Sequence, residues 1–85
     1  MPSAKTARVG ERRRKRNAPL RSRAKTTIST ARLLIGNDEL EAAEKAVKDA
    51  IVALDKAAQK GAIHRRNASR RKSRLMKTLH QAKSA

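Results

Sequence analysis

The chain has 85 residues, with 23 lysines and arginines against 7 acids, a formal net charge of +16 at pH 7, and no cysteine, phenylalanine, tyrosine or tryptophan. That excludes disulfide staples and thiolate metal sites and the aromatic platforms on which most single-stranded nucleic-acid binders stack unpaired bases. Leu, Ile, Val and Phe make up 14 of the 85 residues, too few for more than one thin core, and no apolar run approaches the roughly 20 residues that span a bilayer.

The start of the chain, residues 1–16, is basic and contains Gly10, with Val9 its one large apolar residue besides Met1. It has no core to join and is expected to be an arm, mobile when free or helical on a partner. It lacks an apolar block for a signal peptide, so the chain reads as soluble and unexported; its Ser, Ala and Arg content resembles an organellar transit peptide only loosely. Beyond it, Leu20, Ala24, Thr27, Ile28, Ala31, Leu34 and Ile35 fall on one side of a helix over about 19–35, with Ser22, Lys25, Ser29 and Arg32 opposite. Pro19 fits the first turn of such a helix and removes a backbone donor from a longer one. Either the helix starts there, or a longer basic helix is kinked there.

A second helix is expected over about 38–60, closed by Gly61 in the left-handed conformation. Asp38 and Glu41 form a D-x-x-E capping pattern, and Glu39 and Glu44 place negative charge at the helix's positive end. Leu40, Ala43, Val47, Ala50, Ile51, Leu54 and Ala58 recur at three- and four-residue steps. A third helix, over about 65–83, aligns Ala68, Leu75, Leu79 and Ala82, with Arg66, Arg70, Ser73 and Lys77 on the far side and Arg71 and Lys72 flanking the apolar stripe. Short glycine-containing connections make consecutive helices neighbours. The fold class is therefore all-α, a three-helix up-down-up antiparallel bundle over 17–85.

Charge is sorted along these elements: residues 1–35, 36–60 and 61–85 carry +10, −2 and +8. Two cationic segments around a near-neutral one repel each other unless a polyanion lies against them. The run Arg12, Arg13, Arg14, Lys15, Arg16, with Lys5 and Arg8 before it, and the group Arg65, Arg66, Arg70, Arg71, Lys72 and Arg74 supply forked or mobile donors for phosphate oxygens. Neutralising about eight phosphates would give a log–log salt slope of roughly −6 to −7. With no stacking residues, recognition of backbone and shape in largely double-helical RNA fits best. His64, at the turn into the third helix, is expected as a polar cap or phosphate contact, and His80 as an exposed residue. The acids near Asp38 read as capping rather than a metal or acid–base cluster, and no nucleophile–base pair or phosphate loop is legible. No enzyme, cofactor or metal is expected.

The stretch KGAIHRRNASRRKSRLMK, Lys60 to Lys77, resembles the C-terminal signature of the bacterial small-subunit ribosomal protein S-twenty family, and RNAPLRSRAKTTI, Arg16 to Ile28, resembles its N-terminal half. The resemblance implies a three-helix bundle bound to small-subunit ribosomal RNA, in the 5′ domain at the lower end of the body with contact near the 3′ minor domain. It implies a structural and assembly role in the cytoplasmic ribosome, an organellar stroma being the lesser option. Carried over, the RNA-binding positions are Asn17, Arg21, Ser22, Lys25 and Thr26 in the first helix. In the third they are His64, Arg65, Arg66, Asn67, Arg70, Arg71, Lys72, Ser73 and Arg74, to which the outward row adds Lys77. Family members continue a basic helix through the region of Pro19, so this chain departs there.

The partners expected are small-subunit ribosomal RNA and other components of the assembled particle, with no membrane, small-molecule substrate or homo-oligomer. The alternative is a non-specific DNA-compacting protein, for which basic, alanine-rich helices serve equally well. A membrane-active cationic peptide is a third class, weakened by the missing aromatics.

Overall fold

A computed structural model describes the backbone of residues 4–84 and the side-chain environments of residues 15–84. It contains three helices, α1 (Ala4–Gly36), α2 (Leu40–Gln59) and α3 (Arg65–Ser84), and no strand among the described residues. The pattern predicted the last two within a few residues. The first differs: it runs from Ala4, not from about residue 19, and passes through Pro19. Of the two possibilities that proline allowed, the longer helix is the one formed.

Pairing fixes the directions. Going from Lys72 to Lys83 along α3 means going back from Asp55 to Glu44 along α2, because those residues are joined as ion pairs. Likewise Ala24 of α1 packs in one cluster with Ala53 and Leu54, while Ala31 packs in another with Ala46 and Val47. Both neighbouring pairs are antiparallel, and the order is up-down-up. α2 lies between the other two, which touch each other least.

The core is built mainly from alanine. Ala24, Ala31, Ala43, Ala46, Ala50, Ala53, Ala57, Ala62 and Ala68 are buried with Val47, Leu54 and Leu75. Alanine costs no side-chain entropy in a helix and lets helices approach toward the lower end of the usual separation of about 8–10 Å. Leu54 and Leu75 are the largest side chains fully enclosed. Ile28 packs against both clusters and joins them, and Leu34, Ile35, Ile51 and Leu79 close the one nearer the α1–α2 turn.

The two connections use one hydrogen-bond motif with different residues. After α2, Gly61 has φ +76; its N–H bonds the Ala58 carbonyl at 3.1 Å and that of Ala62 bonds Ala57 at 2.8 Å, a Schellman closure. After α1 the same pattern links Asp38 N–H to Ile35 (3.1 Å) and Glu39 N–H to Leu34 (3.0 Å). There the left-handed residue is Asp38, with φ 61. Gly36 ends α1 as expected but stays helical. This overturns the predicted cap: Asp38 is occupied in the turn, the N-cap of α2 is Glu39, and no side chain caps it.

α1 is longer than the bundle. Its 33 residues make a rod of about 50 Å at 1.5 Å per residue, against about 30 Å for the 20 residues each of α2 and α3. The molecule is accordingly 56 Å long and only 19 by 18 Å across. The antiparallel register sets Asn17 level with Lys60, so the part of α1 before Asn17 extends past the last turn of α2.

Candidate nucleic-acid interface

α3 carries eight lysines and arginines and no acid between Arg65 and Ser84. Burial of Ala68 and Leu75 against α2 turns Arg66, Arg70, Ser73 and Lys77 to the opposite side, and all four are exposed. Arg65, Asn67, Arg71 and Arg74 are exposed around them. The helix begins at His64, whose Nδ1 accepts a hydrogen bond from the Arg66 backbone N–H at 3.1 Å, while its carbonyl accepts from Ala68 at 3.0 Å. His64 is thus an N-cap, with the ring proton on Nε2. Its Nε2 edge is what remains for a partner.

On α1, Lys15, Arg16, Arg21, Ser22, Lys25 and Thr26 are exposed and Asn17 is half-buried. Thr27, one position on, is turned inward, its hydroxyl 2.9 Å from the carbonyls of Arg23 and Ala24, which satisfies it locally. The side chains of Lys5, Arg8, Arg12, Arg13 and Arg14 lie outside the described ones; only the helical backbone that carries them is described. Among residues that sequence reasoning left out of the interface, Arg23 and Lys60 are exposed cations. Lys60 was passed over because it belongs to the near-neutral helix; only the register shows it level with Asn17.

Two ion pairs join the described side chains, both between α2 and α3. Lys72 Nζ is 2.6 Å from Asp55 Oδ1, and Lys83 pairs with Glu44. The Glu44 carboxyl is held below its usual range, first by the hydrogen bond from Lys83 and then by the charges of Lys83 and, more weakly, Lys48. Lys72 is the member of the predicted set that differs from the rest: its charge is directed at α2, not at solvent. The acids of α2 therefore neutralise the inner edge of α3 and leave its outer row unbalanced.

No polar or charged side chain is buried among the described residues. No group of three or more His, Cys, Asp or Glu among them could hold a metal ion, and none of their helices is long and apolar enough to cross a membrane. An exposed cationic surface on small-residue helices is suited to neutralising phosphates over an area, and unsuited to positioning an acid and a base around one substrate.

Such features define the class, a small basic helical protein that lies against a polyanion. The chain belongs to the Ribosomal protein S20 family, whose profile matches residues 2–80. It is 56% identical over 84 residues to the Small ribosomal subunit protein bS20 of Thermomicrobium roseum, covering 94% of this chain and 85% of that protein. Proteins of the same name from Bacillus cytotoxicus (45% over 76 residues, 89% of each chain) and Dehalococcoides mccartyi (44% over 86 residues, 96% of this chain and 98% of the relative) agree over nearly their whole lengths. The family is one of structural ribosomal proteins, not enzymes.

Proposed function

We propose that this protein is a structural constituent of the small ribosomal subunit that binds small-subunit ribosomal RNA directly and assists its assembly in the cytoplasm. The site is the 5′ domain at the lower end of the body. The carrying observation is the outer row of α3, Arg66, Arg70, Ser73 and Lys77, exposed together on a helix without a single acid. Arginine forks and a hydroxyl at successive turns of one helix match phosphates along the edge of an RNA groove. The exposed cations of α1 form the second contact surface. The N-terminal part of α1, which carries the basic run Arg12 to Arg16 beyond the end of α2, acts as an arm laid along the RNA. Along α2, Glu44 and Asp55 are turned to α3 and the outer side, of mixed charge, faces away from the RNA.

Affinity of the full chain for the isolated 5′ domain tests this, measured as a function of salt with duplex DNA as competitor. Reversing Arg66, Arg70 and Lys77 to Glu is expected to weaken binding sharply and to flatten the log–log salt slope by about 2 to 3, near 0.7 to 0.9 for each lost phosphate contact. The same change at Lys45 and Lys48, exposed on α2, is expected to matter little. The opposite ranking would place the interface on the wrong side of the molecule. Displacement by DNA at equal phosphate would make the protein a DNA-compacting one.

A further inference from the structure

Where α2 turns into α3, α1 does not stop. It continues past the level of Lys60 while α2 turns away at Gly61, and the step leaves a hollow of about 520 Å³ lined by Arg16, Asn17, Pro19, Leu20, Lys60 and Gly61. That is a size at which ligand sites are found, roughly 300 to 1,000 Å³. A second hollow, of about 470 Å³, shares Gly61 and leads on to His64 and Arg65 at the start of α3. The two form a track round the end of the bundle that joins the cationic surface of α1 to that of α3.

The chemistry of the first hollow is two-sided. Arg16 and Lys60 bring cations from different helices, and no acid lines it. Asn17 brings an amide that both donates and accepts. Pro19 and Leu20 supply the apolar side of its wall. An RNA strand offers the complement of this set at each nucleotide, because its phosphate oxygens accept and its 2′-hydroxyl donates as well as accepts. DNA offers only the phosphate.

We propose that this hollow seats one ribose-phosphate stretch of an RNA strand, its phosphate held by Arg16 and Lys60 and its 2′-hydroxyl by Asn17. The proposal rests on the RNA-binding function above and deepens it in two ways. It draws Lys60, the C-cap residue of α2, into an interface otherwise made by α1 and α3. It also supplies a contact to the 2′-hydroxyl, whereas a row of phosphate contacts on a helix face does not tell RNA from DNA.

The test compares two neutralised lysines at the same end of α2 in the full chain. Lys56 is exposed one turn before Lys60 and does not line the hollow, so Lys56→Gln and Lys60→Gln make the same charge change near the same helix end. Binding to the isolated 5′ domain of small-subunit rRNA is expected to weaken roughly tenfold for Lys60→Gln, the loss of a charge-assisted hydrogen bond, and less than about twofold for Lys56→Gln. Asn17→Ala is expected to weaken rRNA binding roughly threefold to tenfold and to leave binding to DNA of the same sequence unchanged. Equal losses at Lys56 and Lys60 overturn the hollow as a phosphate site, and equal effects of Asn17→Ala on RNA and DNA overturn the hydroxyl contact. Helicity by circular dichroism confirms that each variant is folded. If the triple reversal on α3 has no effect, the RNA-binding function itself fails; if it weakens binding while Lys60→Gln behaves as Lys56→Gln, only the hollow does.

Discussion

α2 and α3 are each 20 residues long and pack on one another, yet they divide the work of the molecule. α2 buries Ala43, Ala46, Val47, Ala50, Ala53, Leu54 and Ala57, on both of its flanks, whereas α3 buries only Ala68 and Leu75. A helix in the middle must present small apolar residues over a wide arc, which leaves room for its acids only at the edges. A helix on the outside needs one narrow stripe and can carry charge over the rest of its circumference. The stripe of α3 is too narrow to hold eight like charges against the bundle comfortably, and the two ion pairs stand along the seam that it forms with α2. Stability is therefore concentrated in α2 and its neighbours' apolar stripes, and exposed positive charge in α3 and α1.

The sharpest way to break this division is through the core. Leu54→Ala removes one of the two largest enclosed side chains and is expected to cost about 2 to 5 kcal/mol, enough to unfold much of so small a domain. Met76→Ala, on α3 and 53% exposed, is expected to stay within about 0.5 kcal/mol. Urea denaturation followed by helicity separates the two, and similar midpoints would show that α2 does not hold the core.

The turns give a smaller effect of predictable sign. Gly61→Ala forces a Cβ into a left-handed residue and is expected to cost about 1 to 2 kcal/mol, although space around it is open. Asp38→Gly, at the corresponding position after α1, should stabilise by somewhat under about 1 kcal/mol. Thermal midpoints that move in the same direction would mean that the two turns are not equivalent.

The smallest effect is expected at the Glu44–Lys83 pair, whose side chains are both well exposed and screened by solvent. Its carboxyl titrates below the usual carboxylate range, so its contribution is complete above that range and is lost as pH falls through the depressed value. The thermal midpoints of the wild type and of Glu44→Gln should differ slightly at neutral pH and converge in acid. A difference that persists in acid would show that Glu44 acts by packing instead of charge.

Much of the fold was legible because helix periodicity and glycine are strong local signals. The stripes through Ala24, Ala31, Val47, Leu54, Ala68 and Leu75 are buried, although α2, packed on both flanks, also buries Ala46, Ala53 and Ala57 outside the stripe read from its periodicity, and Gly61 takes the left-handed conformation expected of it. The turn after α1 was misread because Asp38 satisfies two local rules at once. Aspartate is a good N-cap and also one of the few residues other than glycine that tolerate a left-handed backbone; the Schellman bonds to Leu34 and Ile35 chose the second. Pro19 was ambiguous for a similar reason. Its missing hydrogen bond is a fixed cost, but whether a helix can bear it depends on its surroundings, and Pro19 is exposed where α1 leaves the bundle, so solvent can reach the carbonyl it leaves free.

By itself the sequence determined what is additive along the chain: helix-forming stretches, the sorting of +16 charges to the two ends, and motifs specific enough to point to the family. Tertiary structure alone decided which residues from different helices stand level with one another. It set Lys72 against Asp55 and Lys83 against Glu44, and brought Lys60 beside Arg16 and Asn17 where α1 outruns α2. Periodicity specifies the face of a helix but not its offset along a neighbour. That offset is settled only when the alanine stripes of two helices find the one register in which they close against each other.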